Sequence, residues 1–505
     1  MLYIFNNKMY YILNKNMGGM YFMSFITQEQ ILKVLVGFNP WWNTEKIPDN
    51  LTRPVKRLAF YEARKIFYHP QIRREIILSG PRRVGKTTIM YQMMEELIET
   101  VSSKQILYVS FDHPMLKLSN IGEIIDVFEN NISPDTDELY LFFDEIQYAP
   151  DWDAWLKTLY DQHPQYKILA TGSASPIIST KMAESGVGRW TQIKVPTLSF
   201  YEYIELLDIK RPTLPLGIKP TSLAQLSQKE LTDLMISLKP LQKHFHNYLL
   251  IGGFPEIALT DDISFAQKII REDVVDKVIK RDIVSLFNVR NVNEFEKIFL
   301  YLCMTSSNIL VQDTIAKEVG VTRQTISNYI ELLEQANLIY SSRPLDLRGK
   351  KILKSKPKIY LADPAIRNAV LMLGEEVLTD PLEMGIIIET AVYKHIHTFF
   401  YKQQLEICYY RDTKTQKEID VIVSFPIGRI LIEVKYRQNS TISENEAIVQ
   451  WANDPKTKGA IIVTKNDDDY GITKHDTITP IIRIPAFAFL YLLGNAEKEG
   501  YSNQK

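Results

Sequence analysis

Four short apolar runs alternate with helical patterns between residues 75 and 195 of the chain. Strands that are buried on both faces of a parallel sheet read as continuous apolar runs. Alternation of such runs with helices predicts a parallel sheet that is covered by helices on both sides. The predicted strands are residues 75–80, 106–112, 138–145 and 167–173.

The pattern changes on either side of this region. An amphipathic helical pattern at residues 26–38 and a second one at 55–71 precede the runs. A segment rich in Pro, Leu and Ser follows, then helical patterns, and then a second mixture of strands and helices. The predicted units are an N-terminal extension with a helix (1–48), an α/β core (49–205), a linker with a helical subdomain (206–300), a compact helical segment with a basic stretch (301–355), a second α/β unit (356–495) and a tail (496–505).

A phosphate-binding motif joins the first predicted strand to the helix that follows. Residues 80–87 match G-x-x-x-x-G-K-[ST], whose glycines turn backbone N–H groups toward phosphate oxygens at a helix N-terminus. We expect Lys86 to reach the β- and γ-phosphates of ATP and Thr87 to ligate Mg²⁺. A chance glycine turn is the alternative, and the flanking strand and helix disfavour it. The predicted ATP-binding residues of the loop are Gly80, Pro81, Arg82, Arg83, Val84, Gly85, Lys86, Thr87 and Thr88.

Two acidic residues, Asp144 and Glu145, end the third apolar run. Parallel α/β sheets bind ligands at the carboxyl ends of their strands. Asp144 is therefore placed to hold Mg²⁺, and Glu145 is placed to polarise the attacking water. The alternative is an N-cap aspartate beside a surface glutamate, which the bulky apolar residues leading into the pair disfavour.

Three further polar residues are candidates for the same site. Thr171 or Ser173, at the end of the fourth run, is placed to sense the γ-phosphate, and a serine-rich turn is the alternative. Arg189 follows a glycine turn and is either a solvated arginine or a group that reaches the nucleotide of a neighbouring subunit. The second possibility requires a homo-oligomer.

Residues 311–330 read as a helix, a glycine turn and a second helix, with Thr322 as the N-cap of the second helix. The outer face of the second helix carries residue types that read base edges in DNA, namely Arg323, Gln324, Thr325 and Asn328. Residues 348–358 are rich in Lys and Arg and predict a basic wing. The alternative is a module that packs only against its neighbours or a partner protein.

Two apolar strands joined by a Pro-Ile-Gly turn at residues 426–428 predict a β-hairpin. Asp420 and Glu433 are equally distant from this turn, so a hairpin brings their carboxylates together. Two carboxylates can hold a divalent metal ion, and Lys435, on the same face as Glu433, can stabilise charge on a phosphate. Glu389, on a predicted helix, would complete a catalytic site. The alternatives are a surface ion pair of Glu433 with Lys435 and a nuclease fold without activity.

The motifs and their order resemble those of the AAA+ ATPases of archaea and bacteria that carry a C-terminal domain of unknown function. The resemblance covers residues 30–490 and rests on the phosphate loop, LFFDEIQ, ATGSAS and the segments 196–203 and 248–256. It implies a helical lid at 248–256 and a trans-acting role for Arg189. The C-terminal motif is similar to the PD-(D/E)xK nuclease superfamily, although Ile419 stands where that pattern has proline.

The resulting expectation is an α/β multidomain protein that contains a P-loop AAA+ core, a lid, a winged helix-turn-helix and a restriction-endonuclease-like domain. We expect it to hydrolyse ATP with Mg²⁺, to couple this to DNA binding or processing, and to hold a second divalent metal at Asp420 and Glu433. The alternative is a nucleotide-dependent switch that binds a partner protein and carries an inactive nuclease-like domain.

Composition narrows these expectations. The 505 residues include 59 Lys+Arg, 60 Asp+Glu and two cysteines, which excludes a disulfide scaffold and a uniformly basic nucleic-acid coat. No run of the sequence has the roughly 18 uninterrupted apolar residues of a membrane helix. We therefore expect a cytoplasmic protein without a membrane partner.

Overall fold

The structure, a computed structural model, describes residues 26–134, 136, 138–172, 188–283, 291–345, 356–412 and 414–502, together with the two-residue strands Tyr11–Ile12 (β1) and Tyr21–Phe22 (β2). Within these ranges no helix is both long and apolar enough to cross a membrane.

The first sheet has five parallel strands in the order β4-β5-β6-β3-β7. Every residue of the three strands at 75–79, 106–110 and 140–144 is buried, which explains why their central residues are apolar. The four strands predicted from the apolar runs are present at the sheet. The strands are β3 (Glu75–Ser79), β4 (Ile106–Ser110), β5 (Tyr140–Asp144), β6 (Lys167–Gly172) and β7 (Trp190–Lys194).

Seven helices accompany this sheet within the described ranges. Their bounds are α1 (Gln28–Phe38), α2 (Trp41–Thr44), α3 (Leu58–Phe67), α4 (Lys86–Leu97), α5 (Ile121–Asn131), α6 (Trp152–Gln162) and α7 (Phe200–Leu206). The indoles of Trp41 and Trp42 are buried and both donate to the Ile106 carbonyl, at 3.2 and 2.8 Å. These bonds fix the N-terminal helices to the edge strand β4.

A helical region follows the first sheet. It comprises α8 (Gln228–Leu238), α9 (Gln242–Ile251), α10 (Ile263–Ile269), π-helical turns at Ile270–Asp276 and Val278–Ile283, α11 (Val292–Met304), α12 (Gln312–Val319) and α13 (Arg323–Gln335). Gly320 ends α12 with a φ of 80°, and the Thr322 hydroxyl caps α13 by accepting from the Thr325 N–H. The predicted helix, turn and helix are thus present in the structure.

The second sheet has eight strands in the order β14-β15-β13-β12-β11-β10-β8-β9. The strands are β8 (Ile339–Pro344), β9 (Lys358–Leu361), β10 (Glu406–Arg411), β11 (Glu418–Phe425), β12 (Gly428–Lys435), β13 (Thr457–Thr464), β14 (Gly471–Ile472) and β15 (Ile481–Pro485). The associated helices are α14 (Pro364–Leu371), α15 (Pro381–Phe400), α16 (Ala447–Ala452) and α17 (Ala486–Ser502).

This second sheet crosses the boundary predicted at residues 355 and 356. Strand β9 pairs antiparallel with β8, and β8 pairs parallel with β10 through Cys408 and Arg343. The hairpin that follows α13 is therefore part of the same sheet as the C-terminal strands. Strands β11 and β12 form the predicted hairpin, with Val421 opposite Ile432.

Candidate nucleotide site and carboxylate cluster

The phosphate loop follows β3 and leads into α4. A side chain at Gly80 would place its Cβ 2.1 Å from the Val195 carbonyl oxygen, so only glycine fits there. Gly85 has a φ of 91°, a conformation that glycine adopts without strain. The Lys86 ammonium is buried and donates to the carbonyls of Gly80 and Pro81 at 2.9 and 2.8 Å. The loop therefore has the close backbone approach and the buried cation that a phosphate site needs.

Asp144 lies beside the loop at the carboxyl end of β5. The Thr87 hydroxyl donates to its two carboxylate oxygens at 3.2 and 3.0 Å, and the Tyr108 hydroxyl donates at 2.9 Å. Thr171 on β6 donates to the same carboxylate. Burial and the neighbouring Glu145 charge raise the pKa of Asp144, while these hydroxyls oppose the shift. The hydroxyl and carboxylate oxygens are the hard ligands that Mg²⁺ prefers, so the donor set fits a magnesium ion.

Thr171 connects Asp144, the predicted Mg²⁺ ligand, with Glu145, the predicted catalytic residue. Its hydroxyl accepts the Glu145 N–H at 3.0 Å while it donates to Asp144. Glu145 has a φ of 51°, and its carboxylate accepts from the Gln147 side-chain amide. Of the two sensor candidates, Thr171 thus lies at the site, whereas Ser173 lies outside the described residues.

A cleft of about 570 Å³ opens above the phosphate loop. Its walls come from the loop, from the segment before α3, from the end of α7 and from the helical region predicted as a lid. The lining includes Arg53, Val55, Arg82, Thr87, Thr88, Glu145, Leu198, Leu206, Pro255, Glu256, Leu259 and Asp273. The volume and the mixed polar and apolar walls are typical of a site for a small ligand.

Arg83 links the phosphate loop to the lid. This residue has a φ of 62°, and its guanidinium contacts the carboxylates of Glu256 and Asp273. The two partners differ in their solvent exposure, which is 68% for Glu256 and 20% for Asp273. A movement of the lid relative to the loop must therefore break or lengthen these ion pairs.

A buried ion pair, which the sequence gave no reason to expect, supports the floor of the cleft. The Arg57 Nε lies 2.7 Å from a Glu202 oxygen, and the same guanidinium donates to the carbonyls of Val84 and Pro196. Burial raises the pKa of Glu202, but the Arg57 charge and backbone N–H donors outweigh it and lower the pKa to about 2. The pair fixes the phosphate loop against the N-terminus of α7.

A second buried cluster joins the nucleotide region to the C-terminal unit. The Lys394 ammonium on α15 donates to the Leu198 carbonyl at 2.8 Å, to the Tyr248 hydroxyl at 3.0 Å and to Asp363 at 2.7 Å. The Gly253 N–H donates to the same Asp363 oxygen at 3.1 Å, and the Gly253 carbonyl accepts from the Leu198 N–H at 2.6 Å. We call these five residues the Lys394 cluster.

Arg189 lies at the opposite edge of the sheet from the phosphate loop. The residue after it, Trp190, pairs with Glu75 at the beginning of β3, whereas the loop follows the end of β3. The Arg189 guanidinium donates to the two Asp161 carboxylate oxygens at 3.0 and 3.2 Å. Arg189 is therefore too far from the nucleotide site of its own chain, and its role toward a neighbouring subunit stays a prediction.

The outer face of α13 carries the predicted base-reading residues. Arg323 forms an ion pair with Asp313 of α12, and Gln324 donates to Asn328 at 2.8 Å. The Gln312 side chain donates to Ser327 at 3.1 Å and ties the two helices together. Residues 348–355 of the predicted basic wing lie outside the described residues. Its last residue, Lys358, is buried against carboxylates, so the prediction that it belongs to a basic surface is wrong.

A carboxylate cluster gathers around Lys358, at the start of β9. The Lys358 ammonium lies 3.1 Å from Glu389 and 3.7 Å from Asp420, and it contacts Glu418. Tyr360 donates to the same Glu389 oxygen at 2.8 Å. Burial lowers the pKa of Lys358, but the three carboxylates outweigh it and raise the pKa. Burial and Asp420 raise the pKa of Glu389 to about 7. Glu389 and Asp420 thus lie together as predicted, with a lysine between them.

The predicted metal ligands Asp420 and Glu433 already have protein partners. An Asp420 oxygen accepts the Val434 N–H at 2.8 Å, and Lys435 contacts Glu433 at 2.8 Å. Burial and Asp420 raise the pKa of Glu433 to about 8. Within the part of the chain that the structure describes, no group of three His, Cys, Asp or Glu residues is arranged to hold a metal ion. The prediction of a second metal here therefore has no support, because protein cations neutralise these carboxylates.

Comparison with known families agrees with the geometry of the nucleotide site. Residues 73–204 match the AAA domain, residues 242–377 match a domain of unknown function (DUF8612) and residues 384–486 match another (DUF4143). The chain therefore contains an AAA domain of the P-loop NTPase class, which supports nucleotide binding. The AAA match covers the phosphate loop, Asp144 and Glu145.

Relatives extend over much of the chain. An uncharacterized protein of Haemophilus influenzae is 25% identical over 62% of this chain and 73% of its own length. The uncharacterized protein MJ1544 of Methanocaldococcus jannaschii is 26% identical over 81% of this chain and 86% of its own length. Among solved structures, the ORC2 protein of Aeropyrum pernix in its ADP form matches with 14% identity and a TM-score of 0.31, over 68% of this chain and 97% of that one.

Proposed function

We propose that this protein hydrolyses ATP with Mg²⁺ and transmits its nucleotide state to a winged-helix and nuclease-like unit that binds DNA. The observation that carries the ATPase proposal is that the phosphate loop, Thr87 and Glu145 line one cleft, and that the buried Asp144 carboxylate accepts from the Thr87 hydroxyl. The nucleic-acid part rests on the polar outer face of α13.

Each residue of the site would have a separate role in ATP hydrolysis. The loop N–H groups and Lys86 would bind the β- and γ-phosphates, and the ammonium would exchange its carbonyl partners for phosphate oxygens. Thr87 and Asp144 would hold Mg²⁺, which when bound neutralises phosphate charge. Glu145 would accept a proton from the attacking water, and Thr171 would keep both carboxylates in position.

The Lys394 cluster supports the coupling. Leu198 lines the nucleotide cleft, and Gly253 lies two residues before Pro255, which also lines it. Both are bonded into a cluster whose central lysine belongs to α15, the helix that also carries Glu389. A lid that moves with the nucleotide would therefore displace groups in direct contact with the C-terminal unit.

Steady-state hydrolysis and nucleotide binding test the ATPase proposal together. Lys86→Ala should lose both ATP binding and hydrolysis. Glu145→Gln should retain binding within about threefold and lose about 10²–10⁴-fold in kcat, the contribution of a general base. Hydrolysis at the wild-type rate in both variants would refute the assignment.

The proposed binding of DNA by α13 needs a separate measurement. DNA affinity, measured over a range of salt concentrations, should fall in Arg323→Ala and should differ between ATP-bound and ADP-bound protein. Lys46→Ala is the matched control because both side chains are 68% exposed. Unchanged affinity and salt dependence in Arg323→Ala would reject α13 as the reading helix.

A second candidate is a nucleotide-dependent switch that binds a partner protein. Two observations favour it: Asp313 neutralises Arg323 on the reading face, and Lys358 neutralises the nuclease-like carboxylates. Stimulation of ATP hydrolysis by DNA would support the first proposal. Stimulation by a partner protein without nucleic acid would support the second.

A further inference from the structure

Lys358 is not part of the predicted nuclease motif, yet it lies inside the carboxylate cluster. The side chain is 5% exposed, and its ammonium faces three carboxylates, those of Glu389, Glu418 and Asp420. The three acidic residues come from α15 and β11, whereas the lysine comes from β9. The cluster is thus assembled from separate elements around one cation.

We propose that Lys358 takes the place of a divalent metal ion in this carboxylate cluster, whose side chains would rearrange to bind such an ion only when the lysine is absent. The proposal concerns the C-terminal unit and is independent of ATP hydrolysis. The lysine charge balances the carboxylates in the native protein, and a divalent-cation site should appear when the lysine is removed.

Three carboxylates surround the Lys358 ammonium. One ammonium lies within 3.1 Å of Glu389 and 3.7 Å of Asp420 and in contact with Glu418. Oxygens from three carboxylates around one point are the ligand type that Mg²⁺ and Mn²⁺ select. A divalent ion brought to this point in the native protein would meet a positive charge already in place, so it would be repelled.

The carboxylates of the predicted nuclease motif have further partners within the chain. Asp420 also accepts the Val434 N–H, and Glu433, the other predicted metal ligand, pairs with Lys435. Lys435 in turn lies 3.3 Å from Glu446. The carboxylates of the predicted nuclease motif therefore have cationic or N–H partners within the chain. Removal of Lys358 leaves three carboxylates that face one another in a buried space, an arrangement that a divalent cation would stabilise.

Mn²⁺ binding to the nucleotide-free full-length protein tests the proposal, with free Mn²⁺ measured by electron paramagnetic resonance. Lys358→Met should bind one more Mn²⁺ per chain than the wild type, and Lys358→Met/Asp420→Asn should lose that additional site. Lys358→Arg keeps the charge and should match the wild type. Any Mn²⁺ held at the phosphate loop is common to all variants. A difference between variants in the number of bound Mn²⁺ ions therefore reports on the carboxylate cluster.

Thermal unfolding gives a second measurement. Millimolar Mn²⁺ should raise the Tm of Lys358→Met by mass action and leave the wild type unchanged. A wild-type Mn²⁺ site that disappears in Asp420→Asn would overturn the proposal, and this comparison holds even if Lys358→Met does not fold. A folded Lys358→Met protein, with ATP hydrolysis retained, that gains no Mn²⁺ would overturn it as well. Loss of ATPase activity in Lys86→Ala bears only on the nucleotide site, so the two proposals fail separately.

Discussion

The Lys394 ammonium lies 2.7 Å from a carboxylate oxygen of Asp363, and the two side chains are 1% and 0% exposed. Burial lowers the pKa of this lysine, although the Asp363 charge opposes the shift. The pair is stable in the interior because each partner has further hydrogen bonds, to Leu198 and Tyr248 on one side and to the Gly253 N–H on the other. It therefore ties the lid and the C-terminal unit to the edge of the ATPase core.

Removal of the lysine charge should be costly. Lys394→Met leaves Asp363 as an uncompensated buried charge, so the free energy of unfolding should fall by about 3–5 kcal/mol. Chemical denaturation measures this change. Lys239→Met removes an exposed lysine that pairs with Asp467 and should leave the midpoint unchanged. Equal midpoints for the two variants would contradict the role of the cluster.

Thr171 should affect catalysis more than binding. Thr171→Val removes the hydroxyl that bonds both Asp144 and the Glu145 N–H, so kcat should fall about 10–100-fold, equivalent to roughly 1.4–2.7 kcal/mol. ATP affinity should change less than threefold. Thr158→Val on α6 is the control, since that hydroxyl bonds only to its own helix, at the Ala154 carbonyl. A larger loss of affinity than of kcat would indicate a binding role instead.

The two ion pairs of Arg83 should differ in strength. Asp273 is more buried than Glu256, so solvent screens its charge less. Double-mutant cycles on unfolding should give a larger coupling energy for Arg83 with Asp273 than for Arg83 with Glu256, the latter about 0.2–1 kcal/mol. The reverse order would show that exposure does not decide the strength of the contact between loop and lid.

His395 should make the protein sensitive to acid. Its Nδ1 donates to the Ala391 carbonyl at 2.7 Å, so its Nε2 accepts the Phe200 N–H at 2.9 Å as a neutral ring. Burial, with the adjacent Lys394 charge, lowers the pKa from 6.5 to about 3. The stability that this histidine contributes is present above pH 6.5 and is lost as the pH falls toward 3.

His395→Gln tests this dependence, because the glutamine oxygen can still accept the Phe200 N–H. Denaturation midpoints measured between pH 7 and 4 should fall less steeply in the variant than in the wild type. His397, whose pKa burial also lowers to about 3, accounts for part of the remaining slope. The half-buried surface histidine His69, changed to Gln, serves as the comparison. Parallel curves for the wild type and His395→Gln would rule out the assignment.

Gly253 should not tolerate a side chain. A Cβ at this position would lie 2.5 Å from the Leu198 carbonyl oxygen and 3.0 Å from the Lys394 ammonium. Gly253→Ala should therefore destabilise the protein by about 1–3 kcal/mol through overpacking. Gly37 on α1 has nothing within 4 Å of the corresponding position, and Gly37→Ala should be neutral or stabilising by about 0.5–1 kcal/mol. Thermal unfolding of the two variants compares them directly.

The sequence predicted the features that depend on neighbouring residues. Strands β3, β4 and β5 have apolar interiors because both of their faces are buried. The motif predicted the phosphate loop, in which Gly85 has a positive φ and Gly80 passes close to Val195. The two apolar strands and the turn at 426–428 predicted the hairpin of β11 and β12, and the observed register agrees with the equal distances of Asp420 and Glu433 from the turn.

The features that the sequence did not predict depend on distant residues. Arg57 is paired with Glu202, and Lys394 with Asp363, although many residues separate the partners along the chain. The sequence placed Lys358 in a basic wing, because a lysine in an ordinary strand pattern carries no periodic signal that it will be buried among carboxylates. Only the folded chain brings the Lys358 side chain to Glu389 on α15 and to Glu418 and Asp420 on β11.

The continuous sheet from β9 to β14 has a geometric consequence for any ligand of the C-terminal half. Backbone hydrogen bonds between β8 and β10 link the helix pair α12 and α13 to the strands that carry Asp420 and Glu433. If the lid moves with the nucleotide, this shared sheet would keep the two surfaces at one separation and one relative angle. A duplex bound by α13 would be presented to the cluster at a constant number of base pairs from the contacted site.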